Sequence, residues 1–175
     1  MDIIRGMEHL EQNTPPGPEY LLLSSRKEYL DAFDRLAGLA QRELCIFDPN
    51  CFYLQINSPH RCELLRAFLL RSPGNRLYLA VHDTDYLRNH CPRFMGLLRL
   101  FSDRMFIRQT EGEAARVQDC FVLADKLHFV RRPVHAQPRG AFALYDGNES
   151  LGVYLRFSEI WEASFTALSA TTSGL

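Results

Sequence analysis

Four short apolar runs, each ended by polar or turn-forming residues, constrain most strongly what this chain can fold into. They occupy residues 44–47, 77–81, 105–107 and 120–124. Continuous apolar runs of this length are typical of strands that are buried on both faces of a sheet. Segments between the runs carry apolar residues at helical spacing, as in residues 29–40. Strands that alternate with helices predict an α/β fold in which helices flank a mixed β-sheet.

The last third of the chain adds a hairpin and a closing helix to this pattern. Residues 120–130 form two apolar runs separated by Asp125 and Lys126, which predicts two strands joined by a turn. From about Glu149 onward, apolar residues at helical spacing extend through Phe165. We therefore expect one helix over this whole closing segment.

The chain of 175 residues is long enough for one domain with its own core. Residues 1–19 are polar and end in a proline-rich stretch, so they are predicted to form a flexible arm. Residues 20–168 form the single α/β domain. Residues 169–175 are small and polar, and we expect them to be a frayed tail.

Charge and cysteine content limit the classes of function. The net charge is −1, whereas dedicated nucleic-acid binders usually carry an excess of basic residues. Five cysteines without a paired CxxC spacing predict neither a disulfide framework nor a metal site, and no cofactor is expected. Free thiols, with no signal peptide and no apolar stretch of membrane-spanning length, predict a soluble cytoplasmic protein.

Segments at residues 43–49, 76–83, 121–125 and 157–164 resemble an uncharacterised proteobacterial domain family. That family lies within the phospholipase D-like fold and is sometimes found beside acetyltransferase domains. The resemblance covers roughly residues 20–167 and implies a phospholipase D-like half. The resemblance also implies a bacterial protein. Because such halves often pair, it implies by analogy that the protein forms a homodimer.

Active members of the phospholipase D superfamily carry a His-x-Lys-x4-Asp motif, in which the histidine attacks phosphorus and the lysine holds phosphate oxygens. The resemblance aligns this motif on Asp125 and places Gln118 at the histidine and Cys120 at the lysine. An amide is not a nucleophile, and a neutral thiol does not hold a phosphate as an ammonium does. The resemblance therefore implies a degenerate active site that has lost phosphodiesterase chemistry.

A second set of polar residues follows the predicted strands. Asp48 and the pair His82-Asp83 come directly after strands, and α/β folds bind their ligands at the carboxyl ends of such strands. Together with Asp125 they are the candidates for acid–base catalysis in one cleft. Alternatively, Asp48 and Asp83 cap the turns or helices that follow them.

The densest basic stretch of the sequence surrounds Arg131 and Arg132. With Arg108, and with Gln118 from the motif position, these residues are the candidates for binding phosphate. A patch of this kind suits nucleic acid. The alternative is a solvated strand end and loop.

Three hypotheses for the function follow. The first is a non-catalytic phospholipase D-like regulatory module that binds a protein partner or the phosphates of a nucleic acid. The second is a hydrolase or nuclease with a non-standard His/Asp site. The third is a partner that acts in trans on an acetyltransferase. The loss of the motif's histidine and lysine favours the first.

Overall fold

The computed structural model describes residues 14–171 of the chain. In this range the order of elements is β1 (Glu19–Leu23), α1 (Arg26–Leu39), β2 (Glu43–Asp48), α2 (Pro59–Arg71), β3 (Arg76–Val81), α3 (Asp85–His90), α4 (Pro92–Leu100), β4 (Met105–Thr110), a 3₁₀ helix (Gly112–Arg116), β5 (Cys120–Ala124), β6 (His128–Arg132), β7 (Gly140–Leu144), α5 (Gly147–Glu162) and β8 (Ser164–Leu168).

The described strands form one sheet in the order β1-β7-β6-β5-β2-β3-β4-β8. β2, β3 and β4 are parallel neighbours, and the other neighbouring strands are antiparallel. Parallel strands need a long crossover, which α2 supplies between β2 and β3, and α3 with α4 supply between β3 and β4. The predicted α/β fold with a mixed sheet and flanking helices is confirmed.

The two faces of the sheet are covered by different helices. α1, α2 and α4 cover one face, which we call the α1 face, and the larger core cluster forms there. α5 covers the other, the α5 face, and packs Val153, Phe157 and Ile160 against Phe47 and Phe121. Side chains alternate along a strand, so adjacent residues of one strand point to different faces. This alternation decides which polar residues meet.

The end of the domain differs from the expected closing helix. α5 ends at Glu162, and β8 follows it and pairs antiparallel with β4. The predicted helix is therefore wrong at Phe165, whose side chain lies in a strand and is 45% exposed. The edge of β4 offers unpaired backbone groups to this segment. The spacing of apolar residues in the local sequence carries no information about a partner strand that lies so far away in the sequence.

The predicted arm and tail are described only in part. Residues 1–13 of the arm and 172–175 of the tail lie outside the described residues. β1 begins at Glu19, the last residue assigned to the arm, because Glu19 pairs with Leu144 of β7. Within residues 14–171, no helix is both long and apolar enough to cross a membrane.

Candidate functional site

The carboxyl ends of β2, β3 and β4 lie side by side at one end of the sheet. We call this end, which runs across the strands, the carboxyl edge; it is distinct from the open side of an outer strand. β5 runs antiparallel to β2, so its first residue reaches the same edge. Cys120 of β5 pairs with Arg132 of β6, and Phe47, which precedes Asp48, pairs with Phe121. Alternation along the strands then puts Asp48, Cys120 and Arg132 in one row on the α1 face.

Asp48 is buried, and its carboxylate closes the turn after β2. Its Oδ1 atom accepts hydrogen bonds from the backbone N–H groups of Asn50 at 3.1 Å and Cys51 at 2.6 Å. Its Oδ2 atom is buried without a hydrogen-bond partner among the described residues. Burial raises the pKa of this carboxyl, against the opposing effects of the backbone N–H groups and the charge of Arg132. This is the geometry of the turn-capping alternative.

Arg132 is 1% exposed and lies against tyrosine rings instead of in solvent. Its Nη1 atom donates a hydrogen bond to the carbonyl of His135 at 2.6 Å. Its guanidinium carbon is 3.5 Å from the ring centre of Tyr53 and 4.7 Å from that of Tyr29. Loop carbonyls and aromatic rings surround the guanidinium in this structure, an arrangement that does not favour the predicted role of Arg132 in phosphate binding.

Arg131 points to the α5 face, opposite to Arg132. Its Nη2 atom lies 3.2 Å from a carboxylate oxygen of Asp119. Arg156 of α5 binds the same carboxylate with two donors, at 2.7 and 2.8 Å. Asp119 is only 3% exposed, whereas both arginines are about two-fifths exposed. These two guanidinium groups thus compensate the negative charge of a buried carboxylate.

The remaining candidates for phosphate binding lie elsewhere. Arg108 is on β4, separated from β6 by three strands, and its Nη1 atom donates to the carbonyl of Trp161 at 2.9 Å. Gln118 is exposed at the carboxyl edge, and its side-chain amide donates to the carbonyl of Arg116 at 3.1 Å. Arg108, Gln118, Arg131 and Arg132 do not converge on one surface, so the expected patch is not formed.

His82 lies at the carboxyl edge with both ring nitrogens in contact with protein oxygens. Nε2 is 2.9 Å from the carbonyl oxygen of Val117, and Nδ1 is 2.6 Å from the hydroxyl of Thr110. A carbonyl can only accept, so Nε2 carries a proton and donates it to Val117, and Nδ1 is within hydrogen-bond distance of the hydroxyl. Asp83 is exposed, and its carboxylate accepts the N–H of Asp85 at 2.6 Å, as a turn cap does.

Asp125 lies at the opposite end of the sheet from Asp48. Its carboxylate accepts hydrogen bonds from the backbone N–H groups of residues 41–43, at 2.8, 2.8 and 3.0 Å. Its φ of 56° is left-handed, a conformation that aspartate tolerates in turns. The prediction that Asp125 shares one cleft with the other catalytic candidates is therefore wrong. β5 runs antiparallel to β2, so Asp125, which follows β5, lies at the end of the sheet opposite to the carboxyl edge.

Three residues of this region were not among the sequence-based candidates. Tyr29 and Tyr53, which contact Arg132, come from α1 and from the turn after β2. Arg156 binds Asp119 from α5, where it is the one basic residue. A single basic residue among the acidic and apolar residues of this helix was the signal in the sequence that could have identified Arg156. Within residues 14–171, no three His, Cys, Asp or Glu side chains are placed to hold a metal ion.

Comparison with known families and sequences adds one finding. A family model for a domain of unknown function, DUF7931, matches residues 25–169. No curated protein matches the sequence significantly.

Solved structures share the fold at low sequence identity. TrmBL2, an archaeal chromatin protein with a novel mode of DNA binding, superposes with a TM-score of 0.64 at 10% identity over 85% of this chain and 55% of its own. NucT from Helicobacter pylori gives 0.60 at 10% identity over 86% of this chain, and Nuc from Salmonella typhimurium, a phospholipase D family member, gives 0.58 at 11% over 87%. Both are covered completely, whereas this chain spans about half the length of TrmBL2. The predicted phospholipase D-like fold is confirmed.

Proposed function

The chain belongs to the DUF7931 family of domains of unknown function, and we propose that it is a non-catalytic phospholipase D-like module that binds a protein partner. The observation that carries this proposal is the bonding of the polar residues at the carboxyl edge. Cys120, at the motif's lysine position, is completely buried, with its Sγ atom 3.9 Å from the hydroxyl of Tyr29. Gln118 is a neutral amide, and His82 has both ring nitrogens in contact with oxygens. None of these groups is a free nucleophile for phosphorus.

The surface that favours a protein partner is the outer edge of β1. Its residues Tyr20, Leu21 and Leu22 are 63%, 57% and 72% exposed. Within the described chain β1 pairs with β7 alone, so the backbone N–H and C=O groups on its other side are open. An exposed apolar edge strand is a template for the addition of another strand. The proposed partner contributes an extended apolar segment that adds to β1.

A cavity beside β1 supports an extended partner segment. Its volume is about 220 Å³ and it lies between β1 and α1, lined in its apolar part by Leu21, Leu23, Ala32 and Phe142. Every second side chain of an added strand points to the same face. One apolar side chain of the partner segment can therefore enter this cavity, which would give the interaction sequence preference.

Binding of nucleic-acid phosphates is the competing proposal. It is less well supported, because Arg132 is buried, Arg131 is engaged with Asp119, and Arg108 lies three strands away. The net charge of −1 also supplies little general attraction to a polyanion. The likeness to TrmBL2 is one of fold, so it does not by itself favour DNA.

The test is a quantitative pull-down from the native host with and without nuclease, using three forms of the tagged chain. Leu22→Lys places a charge on the open edge at a highly exposed position. Leu100→Lys is the matched control, since Leu100 is 71% exposed at the end of α4. We expect a protein that survives nuclease, is retained by Leu100→Lys and is lost with Leu22→Lys. Sedimentation of the purified forms identifies a second copy of this chain as the partner if only Leu22→Lys is monomeric.

Three results would overturn the proposal. One is a partner captured equally by Leu22→Lys, and another is a partner that disappears with nuclease while nucleic acid is recovered from untreated samples. The third is hydrolysis of a phosphodiester such as bis(p-nitrophenyl) phosphate that His82→Asn removes without a change in melting temperature. If the protein lost with Leu22→Lys is an acetyltransferase, the partner is of the kind that the sequence resemblance implied.

A further inference from the structure

A second cavity lies on the α5 face, away from both the carboxyl edge and β1. Its volume is about 190 Å³. It opens between α5 and the strands β2 and β3. The lining residues are Glu43, Cys45, Tyr78, Tyr154, Phe157, Ser158, Trp161 and Glu162.

Four of these residues are aromatic, and three of them form a connected wall. The ring centres of Tyr78 and Trp161 are 5.4 Å apart at 85°, an edge-to-face contact. Those of Phe157 and Trp161 are 5.6 Å apart at 25°, which is a stacked contact. Tyr154, one helical turn before Phe157, adds the fourth ring. The faces of aromatic rings carry negative electrostatic potential and attract cations.

The charged groups of the cavity are acidic. Glu43 and Glu162 both line it, and among residues 14–171 no lysine, arginine or histidine does. The thiol of Cys45 lies 3.5 Å from Oε1 of Glu43, on the same side of the sheet as the cavity. Burial, with the nearby carboxylate of Glu43, raises the pKa of Tyr78. The phenol is therefore neutral at physiological pH, and the carboxylates give the cavity its negative sign.

The chain's own cations already contact this aromatic cluster from outside the cavity. Nζ of Lys126, in the β5–β6 turn, is 3.9 Å from the ring centre of Tyr154. The guanidinium of Arg108, on β4, is 4.5 Å from the ring centre of Trp161. Neither residue lines the cavity. The cluster thus attracts cationic groups in this structure. Phe157 stacks on Trp161 and Phe106 stacks on Tyr78, and the cavity lies beside these rings with Glu43 and Glu162 in its lining.

We propose that this cavity binds an organic cation whose head is an alkylated ammonium group. Within residues 14–171 no three His, Cys, Asp or Glu side chains are placed to hold a metal ion, and an unsubstituted ammonium is strongly hydrated. A methylated ammonium is less hydrated, presents apolar methyl groups to the rings and keeps its charge for Glu43 and Glu162. A small quaternary ammonium ion such as choline and the trimethylated lysine of a protein carry the same head.

Trp161 is the single tryptophan of the chain, so its fluorescence reports on the cavity directly. The full chain is titrated with choline chloride at constant ionic strength, maintained with sodium chloride. The control ligand is the carbon isostere of choline, in which a tert-butyl group replaces the trimethylammonium. We expect saturable quenching by choline in the roughly millimolar range and at least ~10-fold weaker binding of the isostere.

Charge variants connect the signal to the two carboxylates. Glu43→Gln and Glu162→Gln are each expected to weaken choline binding about threefold to tenfold. Glu159→Gln removes the same charge from an exposed position of α5 outside the cavity lining, and we expect no change. Lys126→Gln removes a cation near Glu43 and should tighten binding. Far-UV circular dichroism and melting of each variant show that it is folded.

A peptide with trimethyl-lysine distinguishes the two sources of the ligand. Binding of the peptide at least ~10-fold tighter than choline indicates a protein side chain, and equal affinities indicate a small quaternary ammonium ion. The proposal is overturned if choline gives no saturable change in Trp161 fluorescence, if the neutral isostere binds equally well, or if Glu159→Gln weakens binding as much as Glu43→Gln.

Discussion

Asp48 and Arg132 are charged side chains that the fold buries almost completely, each at 1% exposure. Asp48 is satisfied on one oxygen by the N–H groups of its own turn, and its other oxygen has no partner among the described residues. Arg132 donates from Nη1 to the carbonyl of His135 and lies against the rings of Tyr29 and Tyr53, while its buried Nε atom has no hydrogen-bond partner among the described residues. A buried carboxylate with one unpaired oxygen is costly when ionised. The stability of the fold should therefore respond to the protonation of Asp48.

The pKa of Asp48 is raised above its ordinary value of 3.8, so the folded chain holds this proton where the unfolded chain has lost it. The stabilising effect is present at low pH and is lost as pH rises through the folded-state pKa. Asp48→Asn keeps an acceptor oxygen and is always neutral. We expect the free energy of unfolding of Asp48→Asn, relative to the unsubstituted chain, to increase in urea titrations as the pH rises above the ordinary value of 3.8. A difference that is independent of pH would contradict this.

The pairing of β6 with β7 depends on glycine at the start of β7. A Cβ atom at Gly140 would lie 2.5 Å from the carbonyl oxygen of Arg131 and 3.2 Å from the side chain of Arg132. Neither neighbour can move easily, since one is backbone in the sheet and the other is packed beneath tyrosines. Gly152, in the exposed part of α5, has only open space around the same position.

These two glycines should respond oppositely to the same substitution. Gly140→Ala must push β6 and β7 apart, and we expect it to lower the free energy of unfolding by roughly 2 kcal/mol. Gly152→Ala adds a better helix former without a clash and should raise it by about 0.5–1 kcal/mol. Urea unfolding of both variants measures the difference. If Gly140→Ala left the free energy of unfolding unchanged, β6 and β7 would have more room between them than the structure gives.

On the scale of the whole molecule, the two proposed binding surfaces are separate. The edge of β1 lies at one end of the sheet, and the aromatic cavity lies beneath α5 beside β2 and β3. The strands β7, β6 and β5 separate them. Sites at such a distance without shared contacts behave independently, so their substitutions should act additively.

We therefore expect Leu22→Lys to leave the affinity for choline unchanged while it removes the protein partner. In turn, Glu43→Gln should weaken choline binding without reducing capture of the partner. Fluorescence titration and pull-down of both single variants and the double variant measure this. Loss of both activities in either single variant would contradict this and indicate one common binding surface. Melting of the variant shows whether it is folded, so that a loss caused by unfolding is recognised.

The element order was largely predictable because short buried strands and amphipathic helices have local signals. The apolar run before Asp48 and the turn at Asp125 and Lys126 are examples, and both are found as strand and hairpin. The edge strand β8 was missed since its pairing with β4 is not local. The candidate site was predicted less well. Its residues were chosen as strand neighbours, and the faces and directions of the strands were unknown.

The sequence by itself determined the alternation of strands and helices and the residues that stand at the motif positions, Gln118 and Cys120. Tertiary structure alone decided which of the polar residues meet. Arg131 and Arg132 are adjacent in sequence, yet they serve opposite faces of the sheet because side chains alternate along a strand. Asp125 is carried away from Asp48 because β5 runs antiparallel to β2. The aromatic cavity also belongs to tertiary structure, since it forms only where α5 crosses strands that lie far from it in sequence.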